Sequence, residues 1–150
     1  MTLKFETLPK YRIAYMRNMG PYGPSNKQTM EKLKDWAKEK KLFHSTILLG
    51  IPQDNPETTA PENCRYDACI VIPENYLLDD SINEGELQGG NYVVFKMNHT
   101  AEDIQKAWDE WLPALQKSGY QIANKPILER YTSELVNNHT CDICIPVKIP

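Results

Sequence analysis

The strongest constraint on the fold of this chain is an internal repeat. Trp111 follows Trp36 by 75 positions, and the run Asp142-Ile143-Cys144-Ile145 follows the run Asp67-Ala68-Cys69-Ile70 by the same 75 positions. The apolar periodicity and the turn residues around these matches predict the order β-α-β-β twice. The sequence therefore indicates two copies of one small unit.

Each predicted element begins or ends at a turn or capping residue. In the first copy the elements are strand Tyr11–Met16, helix Asn26–Lys40 with Ser25 as N-cap, strand Thr46–Leu49 and strand Tyr66–Ile72. In the second copy they are strand Asn91–Met97, helix Ala101–Leu112 capped by Thr100, strand Lys125–Tyr131 and strand Cys141–Ile149. Pro113 is expected to kink or end the second helix near Leu112, because an interior proline costs about 3 kcal/mol.

The repeat predicts an α+β fold. One βαββ unit cannot cover both faces of its short sheet, but two units can pair around a pseudo-two-fold axis. We predict tandem duplicated βαββ modules that form one antiparallel sheet, with the helices on one face and a central cleft on the other. Residues 1–150 form a single domain in this prediction, with repeat 1 at about 1–75 and repeat 2 at about 85–150. Small ligands usually occupy concave sites between packed halves.

Composition narrows the classes of partner. The chain is 41% hydrophobic and 25% charged, with a net charge of −3, as is ordinary for a soluble globular protein. It lacks the basic patch that direct nucleic-acid binding requires. It also has no apolar run of the roughly 18 residues that span a membrane, and no apolar region typical of a signal peptide near Met1. We therefore expect a cytoplasmic protein whose four cysteines are reduced thiols.

Cys141 and Cys144 form a C-x-x-C spacing that needs a structural interpretation. The run continues into Ile145-Pro146-Val147, which reads as a strand, and positions three apart on a strand face opposite sides. The two sulfurs cannot then share a metal ion, so we predict small buried hydrophobic side chains and no metal site. His44, His99 and His139 lie in unrelated contexts, and we interpret them as surface or structural residues. No cofactor is predicted.

Glu129 is the candidate functional residue. Side chains alternate along a strand, so Ile127, Glu129 and Tyr131 share one face while Leu128 and Arg130 share the other. If the first face borders a cleft, Glu129 is a negative charge in an apolar wall, suited to an aromatic cation or to proton transfer. The alternative is a glutamate that faces solvent and pairs with Arg or Lys.

The first copy carries Leu49-Gly50-Ile51 where the second carries Glu129. A duplicated fold does not need a charge at this point, so the asymmetry favours a functional role. Burial beside Tyr131 would raise the pKa of Glu129, whereas a bound cation would lower that pKa again.

Four other aromatic residues are candidates for the walls of the cleft. Tyr22 stands beside Gly20-Pro21 in a loop that would frame the groove, and Tyr15 alternates with Ile13 on the first strand. Tyr92 is a candidate on the partner strand, although Tyr92 and Phe95 cannot both face the cleft. Trp108 lies on the predicted second helix, where its edge could reach the cleft. The predicted ligand-binding set is Glu129, Tyr131, Ile127, Tyr22, Tyr15, Tyr92 and Trp108.

Several short motifs, in order along nearly the whole chain, resemble the GyrI-like family of DNA gyrase inhibitors and effector-binding domains. They are Gly20-Pro21-Tyr22, Asp54-Asn55-Pro56-Glu57, Cys64-Arg65-Tyr66-Asp67, Gly89-Gly90-Asn91-Tyr92, Ser118-Gly119-Tyr120, Lys125-Pro126-Ile127-Leu128-Glu129-Arg130-Tyr131 and Asp142-Ile143-Cys144-Ile145-Pro146-Val147. The resemblance implies two tandem βαββ modules around a ligand cleft, with Glu129 as its acidic residue. It also implies a stand-alone member, because no helix-turn-helix segment precedes Leu8.

The resemblance implies three hypotheses for the function. The first is a binding module for an apolar or cationic small molecule, with Glu129 as counter-charge, in the manner of a transcription-effector sensor. The second is a modulator that binds DNA gyrase, with the acidic connector from Asp79-Asp80 to Glu84 and Glu86 as the exposed element and a solvated loop as the alternative. The third is a hydrolase of reactive small molecules in which Glu129 is the general base and Tyr131 or Tyr92 polarises the substrate. We favour binding over catalysis.

Overall fold

The computed structural model describes residues 3–42, 47–98, 101–132 and 140–148. For the second helix, the structure describes the backbone at every residue. It does not describe seven of the side chains, which are those of Ala101, Ile104, Gln105, Ala107, Trp108, Trp111 and Leu112. The strands are β1 (Lys4–Leu8), β2 (Tyr11–Met19), β3 (Leu48–Pro52), β4 (Arg65–Val71), β5 (Asn83–Leu87), β6 (Gly90–Asn98), β7 (Gln121–Ile122), β8 (Leu128–Tyr131) and β9 (Thr140–Lys148). The helices are α1 (Pro24–Glu39), a 3-10 turn (Pro61–Asn63) and α2 (Ala101–Lys117).

The order of the strands confirms the predicted α+β class and the duplicated plan. The main path of the sheet runs β1-β6-β9-β8-β3-β4-β2-β5, and every neighbouring pair is antiparallel. From the seam between β3 and β8 outward, each half presents the second, third and first strands of its βαββ unit and then one edge strand. The two halves are therefore related by a pseudo-two-fold axis at the β3–β8 seam. The domain and repeat boundaries stay a prediction.

The edge strands are exchanged between the halves. β1 precedes the first unit in the chain but pairs with β6 of the second, and β5 precedes the second unit but pairs with β2 of the first. The halves are thus joined at three places: at the seam and at both edges. These two strands were not predicted from the sequence, which indicates a connector without regular structure where β5 lies.

Two predictions about helix ends were wrong. Helix α1 begins at Pro24, with Gly23 as its N-cap and no side-chain cap, so Ser25 lies inside the helix. Proline suits the first helical position because its fixed φ is already helical and its missing N–H needs no partner there. Helix α2 does not end near Leu112 but continues through Pro113 to Lys117. The predicted cap Thr100 lies outside the described residues.

Apolar side chains form one buried cluster on each face of the sheet. On α1, Met30, Leu33, Trp36 and Ala37 are buried, as its sequence periodicity predicts. They pack with Leu115 of α2 and with residues on one sheet face, which we call the helix face. The opposite face, which we call the open face, carries a second cluster, in which none of the described side chains comes from a helix. Among the described residues, no helix is long and apolar enough to cross a membrane.

Candidate ligand-binding site

Glu129 lies at the seam between the two halves. It pairs with Gly50 of β3 on one side and with Ile143 of β9 on the other. Residues directly opposite one another on antiparallel strands project to the same face. Since Ile143 belongs to the cluster that packs under the helices, the Glu129 side chain stands on the helix face.

Two tyrosine hydroxyls stand close to this carboxylate. The Tyr131 hydroxyl donates a hydrogen bond to Oε2 of Glu129 at 2.7 Å. A Cβ atom at Gly50 would overlap the hydroxyl oxygen of Tyr66 and would lie 3.3 Å from Oε2 of Glu129. The Tyr66 hydroxyl therefore occupies the space above Gly50, next to the carboxylate.

Protein atoms surround the carboxyl group of Glu129, although part of the residue is still accessible to solvent. Burial raises the pKa of Glu129, and the hydrogen bond from Tyr131 lowers it by a smaller amount. Among the described residues, no Lys or Arg forms an ion pair with it. We use the word recess for the space on the helix face that is bordered by Gly50, Tyr66, Glu129 and Tyr131. A cation bound in this recess would supply a counter-charge for Glu129.

The tyrosines beside Glu129 remain neutral phenols. Both are buried, and burial is the largest cause that raises the pKa of Tyr66 and of Tyr131, followed by the nearby Glu129 carboxyl. Burial also raises the pKa of the Cys141 thiol to about 12, with Glu129 as the second cause. The recess thus presents one ionisable carboxyl group among hydroxyl and thiol groups that stay protonated at neutral pH.

The location of Glu129 relative to the helices corrects one expectation. The open face does carry a groove, lined by Lys4, Glu6, Val94, Phe95, Lys96, Arg130 and Asp142. Glu129 is not part of this groove, because it points to the helix face. Alternation along β8 places Arg130 at the groove and Glu129 on the other side of the sheet. The prediction that Glu129 faces away from the helices was wrong.

The structure brings together only part of the predicted set of ligand-binding residues. Tyr131 contacts Glu129, and Ile127 is half-buried against the helix-face cluster. Tyr15 and Tyr92 pack in the open-face cluster, so the sheet separates them from Glu129. The side chain of Trp108 lies outside the described part of the chain. The binding role of each residue stays a prediction.

Tyr22 joins two loops. Its hydroxyl accepts a hydrogen bond from the backbone N–H of Asp54 at 3.1 Å and donates one to the backbone carbonyl of Arg65 at 2.7 Å. With both its donor and an acceptor used in this way, the Tyr22 hydroxyl holds the loop before α1 against the loop before β4.

Gly50 and Tyr66 are members of the site that the sequence did not predict. In the sequence, Leu49-Gly50-Ile51 indicates only an asymmetry with Glu129, and Tyr66 is only the first residue of a predicted strand. Their proximity to Glu129 depends on the registers β3–β8 and β3–β4, which pair Gly50 with Glu129 and with Ala68. The signals available in the sequence were the glycine opposite the charge and the Cys64-Arg65-Tyr66-Asp67 motif.

The cysteines behave as the strand pattern predicts. Cys141 packs on the helix face and Cys144 on the open face, so the two sulfurs of the C-x-x-C run lie on opposite sides of the sheet. All four thiols are free and buried. Within the described residues, His, Cys, Asp and Glu side chains do not gather into a group that could hold a metal ion. The three histidines lie outside the described part, as does the predicted strand start at Thr46.

Comparison with known families decides the classification. The profile of the GyrI-like small molecule binding domain matches residues 1–148. The chain belongs to the GyrI-like family. It is therefore a GyrI-like small-molecule-binding domain, as its motifs indicate.

Two relatives show how GyrI-like proteins close to this chain are named. The Bacillus subtilis (strain 168) protein named "SPbeta prophage-derived putative transcriptional regulator YosT" is 40% identical over 149 residues, which cover 99% of this chain and 100% of the relative. A Salmonella typhimurium protein named DNA gyrase inhibitor is 30% identical over 146 residues, which cover 93% of each chain.

Solved structures share the GyrI-like fold at low sequence identity. The EcmrR C-terminal domain has a TM-score of 0.73 at 12% identity, with 99% of this chain and 98% of that domain covered. In the EcmrR–DNA complex this chain spans 58% of the longer EcmrR chain, with a TM-score of 0.74 at 11% identity. SAV2435 bound to tetraphenylphosphonium has a TM-score of 0.63 at 14% identity, with 99% of this chain and 94% of SAV2435 covered.

Proposed function

We propose that this domain binds a lipophilic organic cation in the recess at Glu129. The observation that carries the proposal is the state of the Glu129 carboxyl group, which is enclosed, has a raised pKa and has no ion-pair partner among the described residues. A bound cation would compensate the charge that the protein leaves uncompensated. SAV2435, which has the same fold, is bound to such a cation, tetraphenylphosphonium.

The neighbours of Glu129 suit an organic cation better than a metal ion. Metal ions such as Mg²⁺ and Ca²⁺ need several oxygen ligands, usually more than one of them charged. Glu129 is a single carboxylate whose described surroundings are the phenols of Tyr66 and Tyr131, the strand backbone at Gly50 and the apolar Ile143. Aromatic faces and one carboxylate attract a cation whose charge is spread over an apolar body.

We expect Glu129→Gln to weaken the binding of cations by about 1–3 kcal/mol, because the amide keeps the shape and an acceptor for Tyr131 but removes the charge. Isothermal titration calorimetry with tetraphenylphosphonium and with 1-naphthylmethylammonium measures the effect. Glu86→Gln is the control, because Glu86 is an exposed glutamate on the edge strand β5. Its carboxylate forms an ion pair with Lys10. Failure of both cations to bind the wild-type protein, or equal binding to Glu129→Gln, would contradict the proposal.

The hydrolase alternative uses the same residue. A general base that acts near neutral pH needs a raised pKa, and burial raises the pKa of Glu129 in that direction. The hydroxyl of Tyr66, which lies next to the Glu129 carboxylate, is placed to donate a hydrogen bond to a substrate oxygen. Chromatography of the calorimetry mixtures after incubation separates the two functions, since a binding domain returns its ligand unchanged and a hydrolase yields products that disappear in Glu129→Gln.

We further propose that DNA gyrase is a protein partner, on the basis of the 30% identical relative named DNA gyrase inhibitor. The acidic connector is less free than its sequence suggests, because three of its carboxylates form ion pairs. Asp79 pairs with the lysine that follows α1, Glu84 with an arginine of β2, and Glu86 with the lysine before β2. We expect the purified protein to reduce supercoiling by gyrase in a dose-dependent manner. Unchanged supercoiling at high molar excess would end this part of the proposal.

A further inference from the structure

Gly50 is the counterpart of Glu129 across the seam, and its lack of a side chain shapes the recess. A Cβ atom at this position would overlap the Tyr66 hydroxyl oxygen, would lie 3.2 Å from Cζ of the same ring, and would lie 3.3 Å from Oε2 of Glu129. The backbone φ at Gly50 is not in the left-handed region, so its conformation does not require glycine. The need for glycine at position 50 is therefore one of space, and the space is used by Tyr66.

The oxygens of Tyr66 and Glu129 consequently border one small volume above Gly50. Oε2 of Glu129 accepts a hydrogen bond from the Tyr131 hydroxyl. Within the described part of the chain, Oε1 of Glu129 and the Tyr66 hydroxyl have no hydrogen-bond partner. A phenol oxygen and a carboxylate oxygen both accept hydrogen bonds. The recess thus offers two acceptors, on two different strands, to one group.

We infer that Gly50 and Tyr66 make the recess selective for organic cations whose charged nitrogen carries hydrogen atoms, such as protonated amines and amidines, over quaternary cations. This inference rests on the proposed function, because it concerns the ligand that Glu129 would hold. An N–H-bearing cation donates hydrogen bonds to both acceptors while its charge compensates the carboxylate. A quaternary cation supplies the charge alone and leaves the two oxygens without donors.

In this arrangement Tyr66 contacts the ligand, and Gly50 acts as a positioning residue through Tyr66. Any side chain at position 50 displaces the Tyr66 hydroxyl from the carboxylate, and the ring shifts with the hydroxyl because its oxygen is fixed in the ring plane. The discrimination therefore depends on one hydroxyl group and on the glycine that admits it.

The test compares 1-naphthylmethylammonium with its N,N,N-trimethyl derivative, a pair that shares the aromatic body and the charge. We expect the wild-type protein to bind the ammonium at least about tenfold more tightly in calorimetric titrations, the usual scale for one lost hydrogen bond to a charged group. Tyr66→Phe is expected to bring the ratio of the two dissociation constants close to one, mainly through weaker binding of the ammonium.

Gly50→Ala should bring the same ratio of dissociation constants closer to one, because it displaces the Tyr66 hydroxyl. If Gly50→Ala does not fold, Tyr66→Phe alone tests the inference. Gly85→Ala is the matched control, since a Cβ there would lie 3.0 Å from the Tyr15 ring on the open face. That variant should keep the wild-type ratio. Equal, Glu129-dependent binding of both probes to the wild type overturns the inference and leaves the proposed function standing. A preference that survives Tyr66→Phe also overturns it. If neither probe binds the wild type, the inference is wrong, and the proposed function is wrong as well if tetraphenylphosphonium also fails to bind.

Discussion

Glu129→Gln is expected to be more stable than the wild-type protein at pH 8, by about 1–3 kcal/mol, the usual scale for burial of a polar group without compensation. Burial raises the pKa of Glu129 in the folded state above its ordinary value of 4.5. The folded state therefore holds this proton more tightly than the unfolded state. The stability that the protonated form contributes is complete below pH 4.5 and is lost as the pH rises through the folded-state pKa.

Urea denaturation of the two proteins at half-unit intervals between pH 4.5 and pH 8 measures this effect. The difference in free energy of unfolding should grow with pH across the window, and groups that titrate in both proteins cancel from it. Tyr66, Tyr131 and Cys141, which face Glu129, stay protonated because their own pKa values are raised. A difference that is constant with pH would show that Glu129 has no raised pKa.

Glu6→Gln provides a comparison of opposite sign. The hydrogen bonds from Arg130 lower the pKa of Glu6, so its contribution is present above its ordinary pKa of 4.5 and is lost as the pH falls. Glu6→Gln should therefore be less stable than the wild type at pH 7, and this difference should shrink toward pH 3. The two glutamates of one sheet thus report opposite environments. The carboxylate on the open face has an ion pair, whereas the one on the helix face has none with any residue that the structure describes.

The core of the fold was predictable because the sequence contains two copies of the same unit. The repeated Asp-x-Cys-Ile runs and the matched tryptophans identify two units whose strands and helices recur, and a helical stripe such as Met30 to Ala37 needs only local periodicity. The edge strands were missed for a physical reason. β5 (Asn83–Leu87) contains a glycine and two glutamates, which have low strand propensity, so its conformation depends on pairing with β2.

The site was only partly predictable, because the alternation of side chains along one strand does not show which face of the sheet packs against the helices. The spacing of Ile127, Glu129 and Tyr131 places three side chains on one face, but it does not tell which face the helices cover. Tyr66 lies close to Glu129 because β3 pairs with β4 on one side and with β8 on the other, with Gly50 between them. Such strand registers are set by tertiary packing. The asymmetry that the sequence indicates is present as a carboxylate opposite a glycine at the seam, and the functional role of Glu129 stays a prediction.

Arg130→Met is expected to lower the free energy of unfolding at pH 7 by about 3 kcal/mol, the low end of the range for removing one partner of a buried ion pair. Arg130 donates to both carboxylate oxygens of Glu6 at 2.7 and 3.0 Å and to Oδ2 of Asp142 at 2.9 and 3.2 Å. Its side chain is only 14% exposed and that of Asp142 15%, whereas Glu6 is 40% exposed, which limits the cost on that side.

This arginine joins three strands that come from distant parts of the chain. Glu6 lies on the exchanged edge strand β1, Arg130 on the seam strand β8, and Asp142 on β9 between them in the half-sheet. Without the guanidinium, two carboxylates remain on the same face, and both their repulsion and their desolvation oppose folding. The stability lost should therefore include the docking of β1, which amide hydrogen exchange of Phe5 and Thr7 would detect.

The pH dependence separates this ionic role from simple packing. Protonation of Glu6 at low pH removes the repulsion, so the difference in unfolding free energy between Arg130→Met and the wild type should become much smaller at pH 3 than at pH 7. Arg65→Met is the control, because Arg65 also pairs with an aspartate but its side chain is 41% exposed, so its replacement should cost less. A loss for Arg130→Met that is equal at both pH values would mean that the methylene packing of Arg130, and not its charge, holds the edge strand in place.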